Sequence, residues 1–391
     1  MKHRPFTTGA AGAFRGTLTL TLAAINTVVW AIPIYAGALL RFVLPPGPMK
    51  GALRRGLDAL AENWIRVNNT IMRVGRTTEW DIRGLEGLAR DGRYLVISNH
   101  QSWADILVLQ KAFSGSIPFL KFFIKQELIW VPVLGLVWWA LEFPFMKRYS
   151  SAFLDKHPEM RGKDLETTRK LCEAIGNHPL TIMNFLEGTR FDEGKRAEQQ
   201  SPYRYLLRPK AGGIAFVLGA IGATLDSLLD VTIVYEGRGL SLWDFVCGRV
   251  DKIVVEVRKR ELPTHLFEGD YHSDDTFRDE AQGWVQRLWA EKDLRVAALR
   301  RVVASALALL LAATSIASAV GPESRPADPA TAARYDVALR AYEEQRFNDA
   351  RIEFESLASV GVPQAEFMLA VLYEFGDGVA PSFAEAAHWY G

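Results

Sequence analysis

No residue between Arg15 and Arg41 carries a charge. This run constrains the fold more than any other feature of the 391-residue chain. About 20 apolar residues suffice to cross a bilayer, so residues 1–60 are expected to form a membrane-anchoring segment. Pro33 lies inside the run. It predicts a kink or a break, which also fits a re-entrant or interfacial helix pair. A buried helix of a soluble core is the third reading. Arg41, Lys50, Arg54 and Arg55 follow closely. Basic flanks stay on the cytoplasmic side of a span, so the part that follows is expected to face the cytoplasm, at the inner cell membrane.

A second apolar run, Val302 to Val320, follows Arg300 and Arg301 and ends in Ala317-Ser318-Ala319. A basic start, an apolar middle and a small-residue end are the grammar of a signal peptide. Inside a chain it reads as a second span, which would put the tail on the far side. A cleavable segment and a fusion of two genes are the alternatives. The segment is assigned residues 296–320, and the Pro/Gly-rich stretch from Gly321 to Pro329 reads as a linker.

Charge divides the chain. Residues 1–320 carry 41 basic and 33 acidic side chains, and residues 321–391 carry 5 and 12. A basic front suits an anionic surface such as phospholipid headgroups. No nucleic-acid motif is present. The two cysteines, Cys172 and Cys247, are far apart, which gives neither a disulfide framework nor a metal-ligand spacing.

Between about residues 80 and 290, short apolar runs alternate with amphipathic stretches. Tyr94-Leu95-Val96-Ile97-Ser98, Leu180 to Leu186 and Val231 to Tyr235 predict buried strands with helices between them, an α/β pattern. The first strand leads directly into Asn99-His100-Gln101-Ser102-Trp103-Ala104-Asp105. Strand carboxyl ends are where open α/β sheets bind ligands. Residues five apart share a helix face poorly, so His100 is expected in the loop and Asp105 in the first helical turn. From there a carboxylate reaches back to orient the imidazole, which can then take a proton from an alcohol. Ser102-x-x-Asp105 also fits a helix capping box, which would explain Asp105 without catalysis. The strand at 180–186 ends in Glu187-Gly188-Thr189-Arg190. Gly188 lets backbone approach a ligand, Arg190 can grip a phosphate, and Glu187 can orient Arg190 or a substrate hydroxyl. The competing reading is an ordinary turn with a surface ion pair.

Together, Asn99-His100-x-x-x-x-Asp105 and Phe185-Leu186-Glu187-Gly188-Thr189-Arg190 resemble the first and third sequence blocks of the glycerolipid acyltransferase superfamily, the lysophosphatidate and lysophospholipid acyltransferases. Lys125 to Gly135 with Phe145-Met146-Lys147-Arg148 resembles the second block and looks closest to the lysophospholipid and lysocardiolipin branch. Val231 to Tyr235 resembles the fourth, with Thr232 where a proline is commoner. The resemblance covers roughly 80–290. It implies an acyltransferase domain over residues 61–295, with His100 as general base and Asp105 as its partner. Glu187, Gly188, Thr189, Arg190 and also Arg148 would be contacts on the substrate's phosphate side. It implies no metal, no cofactor and no acyl-enzyme. The substrates implied are a lysophospholipid acceptor and an acyl thioester, acyl-CoA or acyl carrier protein, as co-substrate. Ser102 is then a cap rather than a nucleophile.

The remainder, residues 321–391, reads as linker and helical repeats. Gln364 to Val379 with Ala384 to Tyr390 resembles a Sel-one-like repeat, related to the tetratricopeptide repeats, through its Gly376-Asp377-Gly378 turn. Ala338 to Val360 reads as a preceding helix pair. The resemblance implies a protein-binding module, truncated at Gly391; a passive remnant is the alternative. The expected fold is therefore an α/β acyltransferase domain with an N-terminal membrane helix and an all-α helical-repeat tail. Two other functions compete: a membrane-anchored interaction protein with an inactive domain, and a thioester hydrolase using His100 and Ser102. The second lacks the Gly-x-Ser-x-Gly nucleophile elbow.

Overall fold

The computed structural model describes residues 9–45, 47–73, 78–146, 178–237, 241–267, 269, 271, 274–318, 329–344, 346–375, 377–380 and 382–390. They fall into two compact units, Met1–Val296 and Ala297–Gly391.

The first unit opens with helices α1 (Gly9–Val43) and α2 (Pro48–Arg73). Pro33 does not interrupt α1. The two helices form a hairpin that packs against the rest of the unit. Ala31, Ile34 and Ala38 of α1 are buried with Leu57, Ala61 and Trp64 of α2 and with Phe119, Val137 and Leu141 beyond. Polar bonds fix the arrangement along its length. Asn26 donates to the Trp64 carbonyl at 3.1 Å and to Asn68 Oδ1 at 2.9 Å, and the Tyr35 hydroxyl donates to the Val133 carbonyl at 2.6 Å. Arg41 and Arg54 share the carboxylate of Glu142. The other face of α1 is bare: Ile25, Val29, Ile32 and Leu39 are each more than half exposed. Their spacing draws an apolar stripe along one helix side. Among the described residues, α1 is the one helix long and apolar enough to cross a membrane. It is also tied lengthwise to its own domain. The expected boundary at residue 60 falls inside α2.

Behind the hairpin lies a six-stranded sheet in the order β1-β8-β7-β2-β6-β3. Its strands are β1 (Glu79–Arg83), β2 (Arg93–Ser98), β3 (Leu120–Phe122), β6 (Leu180–Phe185), β7 (Ser227–Gly237) and β8 (Val250–Arg260). β7, β2, β6 and β3 run parallel, and β8 pairs antiparallel with β7. Leu95, Val96 and Ile97 of β2 are wholly buried, as a strand covered on both faces requires. The short pair β4 (Ile124–Lys125) and β5 (Phe145–Met146) stands apart. The helices that matter for the site are α3 (Ala104–Phe113), α4 (Leu134–Ala140), α5 (Glu193–Glu198), α6 (Ala211–Ile221) and α7 (Leu242–Cys247). A long helix, α8 (Asp275–Ser318), runs through the expected boundary at 295 and on through the second apolar run as far as Ser318. Residues 319–328, with the expected linker, lie outside the described residues.

The second unit holds α9 (Pro329–Glu343), α10 (Phe347–Ala358), α11 (Pro363–Phe375) and α12 (Phe383–Tyr390). Ala338, Tyr342, Ala350, Phe354, Met368 and Leu372 form their shared core. Gly378 has φ +72°, and a Cβ there would meet the Phe347 backbone at 2.9 Å, so the turn between α11 and α12 needs glycine.

Candidate active site

Strand register brings the two polar blocks together. Ser98 of β2 lies opposite Phe185 of β6 and Val231 of β7, so Asn99-His100 and Leu186-Glu187 leave the sheet at the same edge. Asn99 is wholly buried and extends the ladder by one step. Its Nδ2 donates to the Ile233 carbonyl at 2.9 Å, and the Ile233 amide donates to its Oδ1 at 2.8 Å. The residue beside His100 is thereby pinned to β7.

The His100 ring stacks on Phe185, with centroids 4.0 Å apart and planes at 17°. Nδ1 lies 2.8 Å from Oδ2 of Asp105, which is wholly buried. The same oxygen accepts the amides of Gln101 at 2.7 Å and Ser102 at 3.0 Å. Oδ1 accepts the hydroxyl of Tyr235, whose own ionisation is pushed well above the usual tyrosine range by burial and by the Asp105 charge. Every neighbour donates to Asp105, so Nδ1 carries the imidazole proton and Nε2 is left as the acceptor. That is the tautomer a general base requires.

The capping and orienting readings of Asp105 coexist. α3 begins at Ala104 with Trp103 as N-cap, one residue later than the capping box predicts. Asp105 still accepts the Ser102 amide, and Ser102 Oγ accepts the Ala104 amide at 3.1 Å. Ser102 is buried and its Oγ is an acceptor within this turn.

Glu187 does a different job from the one expected of it. It is wholly buried, and its two oxygens accept the backbone amides of His100 and Leu207, each at 2.9 Å. It therefore ties the His100 backbone to the segment before α6 rather than pairing with Arg190. The Phe191 amide adds a second tie, donating to the His100 carbonyl at 2.6 Å. Burial pushes the Glu187 carboxyl up from 4.5 to about 8, against the two amide bonds that favour its charge. The folded state thus holds this proton more tightly than the unfolded chain. The stability it contributes is complete below about pH 4.5 and is lost as pH rises toward 8. Glu187→Gln has no such titration. In thermal melts from about pH 5 to pH 8, the wild-type advantage over the variant should shrink steadily; parallel curves would contradict this account.

Gly188 takes φ +68° at the following turn, with the Lys210 side chain lying over the place a Cβ would occupy. Thr189 Oγ1 accepts from Lys195 Nζ at 3.2 Å, and the same ammonium donates to the Arg190 carbonyl at 3.1 Å. The Arg190 guanidinium stands 4.7 Å from the centroid of the Trp103 ring. Among the described residues no carboxylate pairs with it. Arg148 lies outside the described residues. Asn99, Tyr235 and Trp103 are the site residues that sequence reasoning missed. Tyr235 lies within β7, and no signal in the sequence marks its contact with Asp105.

The arrangement defines a class of site: a buried acid orienting a histidine base at parallel strand ends, with cations on the adjoining turn, fit to activate a hydroxyl for group transfer. Residues 79–236 match the family model described as Acyltransferase. The chain is 28% identical over 213 residues to the 1-acyl-sn-glycerol-3-phosphate acyltransferase gamma of Mus musculus, covering 51% of each chain. It is 24% identical over 223 residues to lysocardiolipin acyltransferase 1 of Mus musculus, covering 52% of this chain and 53% of that one. The chain thus spans about half the length of the curated relatives it matches. The crystal structure of the 1-acyl-sn-glycerophosphate (LPA) acyltransferase PlsC from Thermotoga maritima aligns with a TM-score of 0.39 at 18% identity, over 70% of this chain and 95% of that one.

Proposed function

We propose that the chain moves a fatty acyl group from an acyl thioester, acyl-CoA or acyl carrier protein, to the free hydroxyl of lysophosphatidate or a related lysophospholipid. The observation that carries this reading is the His100–Asp105 pair, with Nδ1 committed to the carboxylate and Nε2 left to act. Nε2 takes the hydroxyl proton as the acceptor oxygen attacks the thioester carbonyl carbon. The tetrahedral adduct then collapses, the C–S bond breaks, and the proton passes from His100 to the leaving thiolate. Arg190, with no carboxylate partner among the described residues, holds the acceptor phosphate and so sets the hydroxyl against the carbonyl. Arg148 is a second phosphate contact in the same proposal. The bare stripe of α1 supports docking on a membrane surface, where the lysolipid acceptor resides, and the basic residues that follow it favour the cytoplasmic face. The helices from α9 to α12 are a Sel-one-like module for a protein partner.

The test is mass spectrometry of the lipids that the purified chain makes from a panel of lysolipids and both thioester donors. A new diacyl product from a phosphate-bearing lysolipid is the expected result. Release of free fatty acid without acceptor, or no product from any pair, would overturn the reading.

A further inference from the structure

The geometry assigns to Trp103 the role of positioning residue for the acceptor: its indole face sets the guanidinium of Arg190 beside the catalytic loop. This rests on the phosphate role of Arg190 given above. Three observations carry it. First, the Arg190 Cζ is 4.7 Å from the Trp103 ring centroid, within the range of cation–π attraction. A contact with a ring face engages the charge but uses up no N–H donor, so the guanidinium keeps its donors for an anion. Second, Trp103 is the N-cap residue of α3, inside the loop between His100 and Asp105. The indole therefore moves with the base, and the distance from phosphate grip to base is set within one short loop. Third, the other end of Arg190 is fixed as well, because its carbonyl accepts from Lys195 Nζ at 3.1 Å. Trp103 remains 53% exposed, although a core tryptophan would be covered. Its open side leaves room for a ligand to approach the guanidinium.

The consequence is a specificity device. The ring adds nothing to the proton transfer and acts on the acceptor alone, through Arg190. The experiment compares Trp103→Leu, Trp103→Phe, Arg190→Ala and the double variant Trp103→Leu/Arg190→Ala in the full chain. Acyl transfer to lysophosphatidate in mixed vesicles is read alongside equilibrium binding of lysophosphatidate without donor. Trp103→Leu should raise the acceptor KM and Kd about two- to fivefold, with kcat at saturating acceptor and donor KM unchanged. Trp103→Phe keeps a ring face and should recover most of the loss. In the Arg190→Ala background Trp103→Leu should add nothing, because the pair acts as one unit.

Additive effects would overturn the role of Trp103 while leaving that of Arg190 intact. So would a fall in kcat with unchanged acceptor KM, the sign of a displaced catalytic loop. Loss of vesicle binding by Trp103→Leu with unchanged acceptor Kd would show a membrane contact instead, and would also overturn it. An Arg190→Ala variant with unaltered acceptor binding, or a wild-type chain that binds no lysophosphatidate, would remove the phosphate role itself and this inference with it.

Discussion

Acyl transfer by the His100→Ala variant should fall by a factor of about 10² to 10⁴, the usual worth of a positioned general base, while the protein stays folded. Folding should survive because the buried Asp105 is not orphaned by the change. It keeps the amides of Gln101 and Ser102 and the hydroxyl of Tyr235 as donors. The His100 amide and carbonyl bonds to Glu187 and Phe191 are backbone bonds and remain in alanine. The structural loss is the ring stack on Phe185, worth about 0.5–1.5 kcal/mol. A thermal melt close to wild type, with transfer reduced to the residue left by binding and alignment, is the expected pair of readings. Normal transfer by the purified variant would sink the mechanism outright.

Arg190→Ala should raise the acceptor KM by about 10- to 100-fold, the equivalent of a charge-assisted hydrogen-bonded contact of about 1.5–3 kcal/mol, and leave the donor KM unchanged. No carboxylate among the described residues would lose a partner, so the variant should fold normally. Arg190→Lys keeps the charge but loses the planar fork, and should fall between the two. An acceptor without phosphate makes the control, since its weaker use should be nearly indifferent to the substitution. Equal losses on both acceptors would instead place Arg190 in the fold.

Residues that act locally were the ones legible in the sequence. Apolar runs at 94–98, 180–186 and 231–235 became β2, β6 and β7 because continuous burial leaves a continuous apolar signature. The His100–Asp105 contact was readable because the partners are five positions apart, across one loop-to-helix junction. Tyr235 was not, since its partner Asp105 is 130 positions away and nothing local marks the pairing. Glu187 misled for a related reason. A carboxylate beside a glycine and an arginine reads as a surface group, and only the tertiary path shows two backbone amides from elsewhere closing on it. The antiparallel pairing of β8 with β7 left no trace in periodicity, because strand direction is settled by connections rather than composition. In α1 the uncharged run left a span, an interfacial pair and a buried helix open, and only the tertiary fold shows Asn26 and Tyr35 bonding to neighbouring backbone.

That last feature bears on how the protein can be handled. A greasy leading helix is commonly treated as a removable leash, to be trimmed so that the enzyme behind it dissolves. Here Ile34 and Ala38 share a core with Leu57, Trp64, Phe119 and Leu141, and Arg41 contributes to the charge clamp on Glu142. Trimming would trade one oily surface for another, newly uncovered and never shaped for water. In this chain the greasy helix is masonry, part of the core that the domain behind it shares.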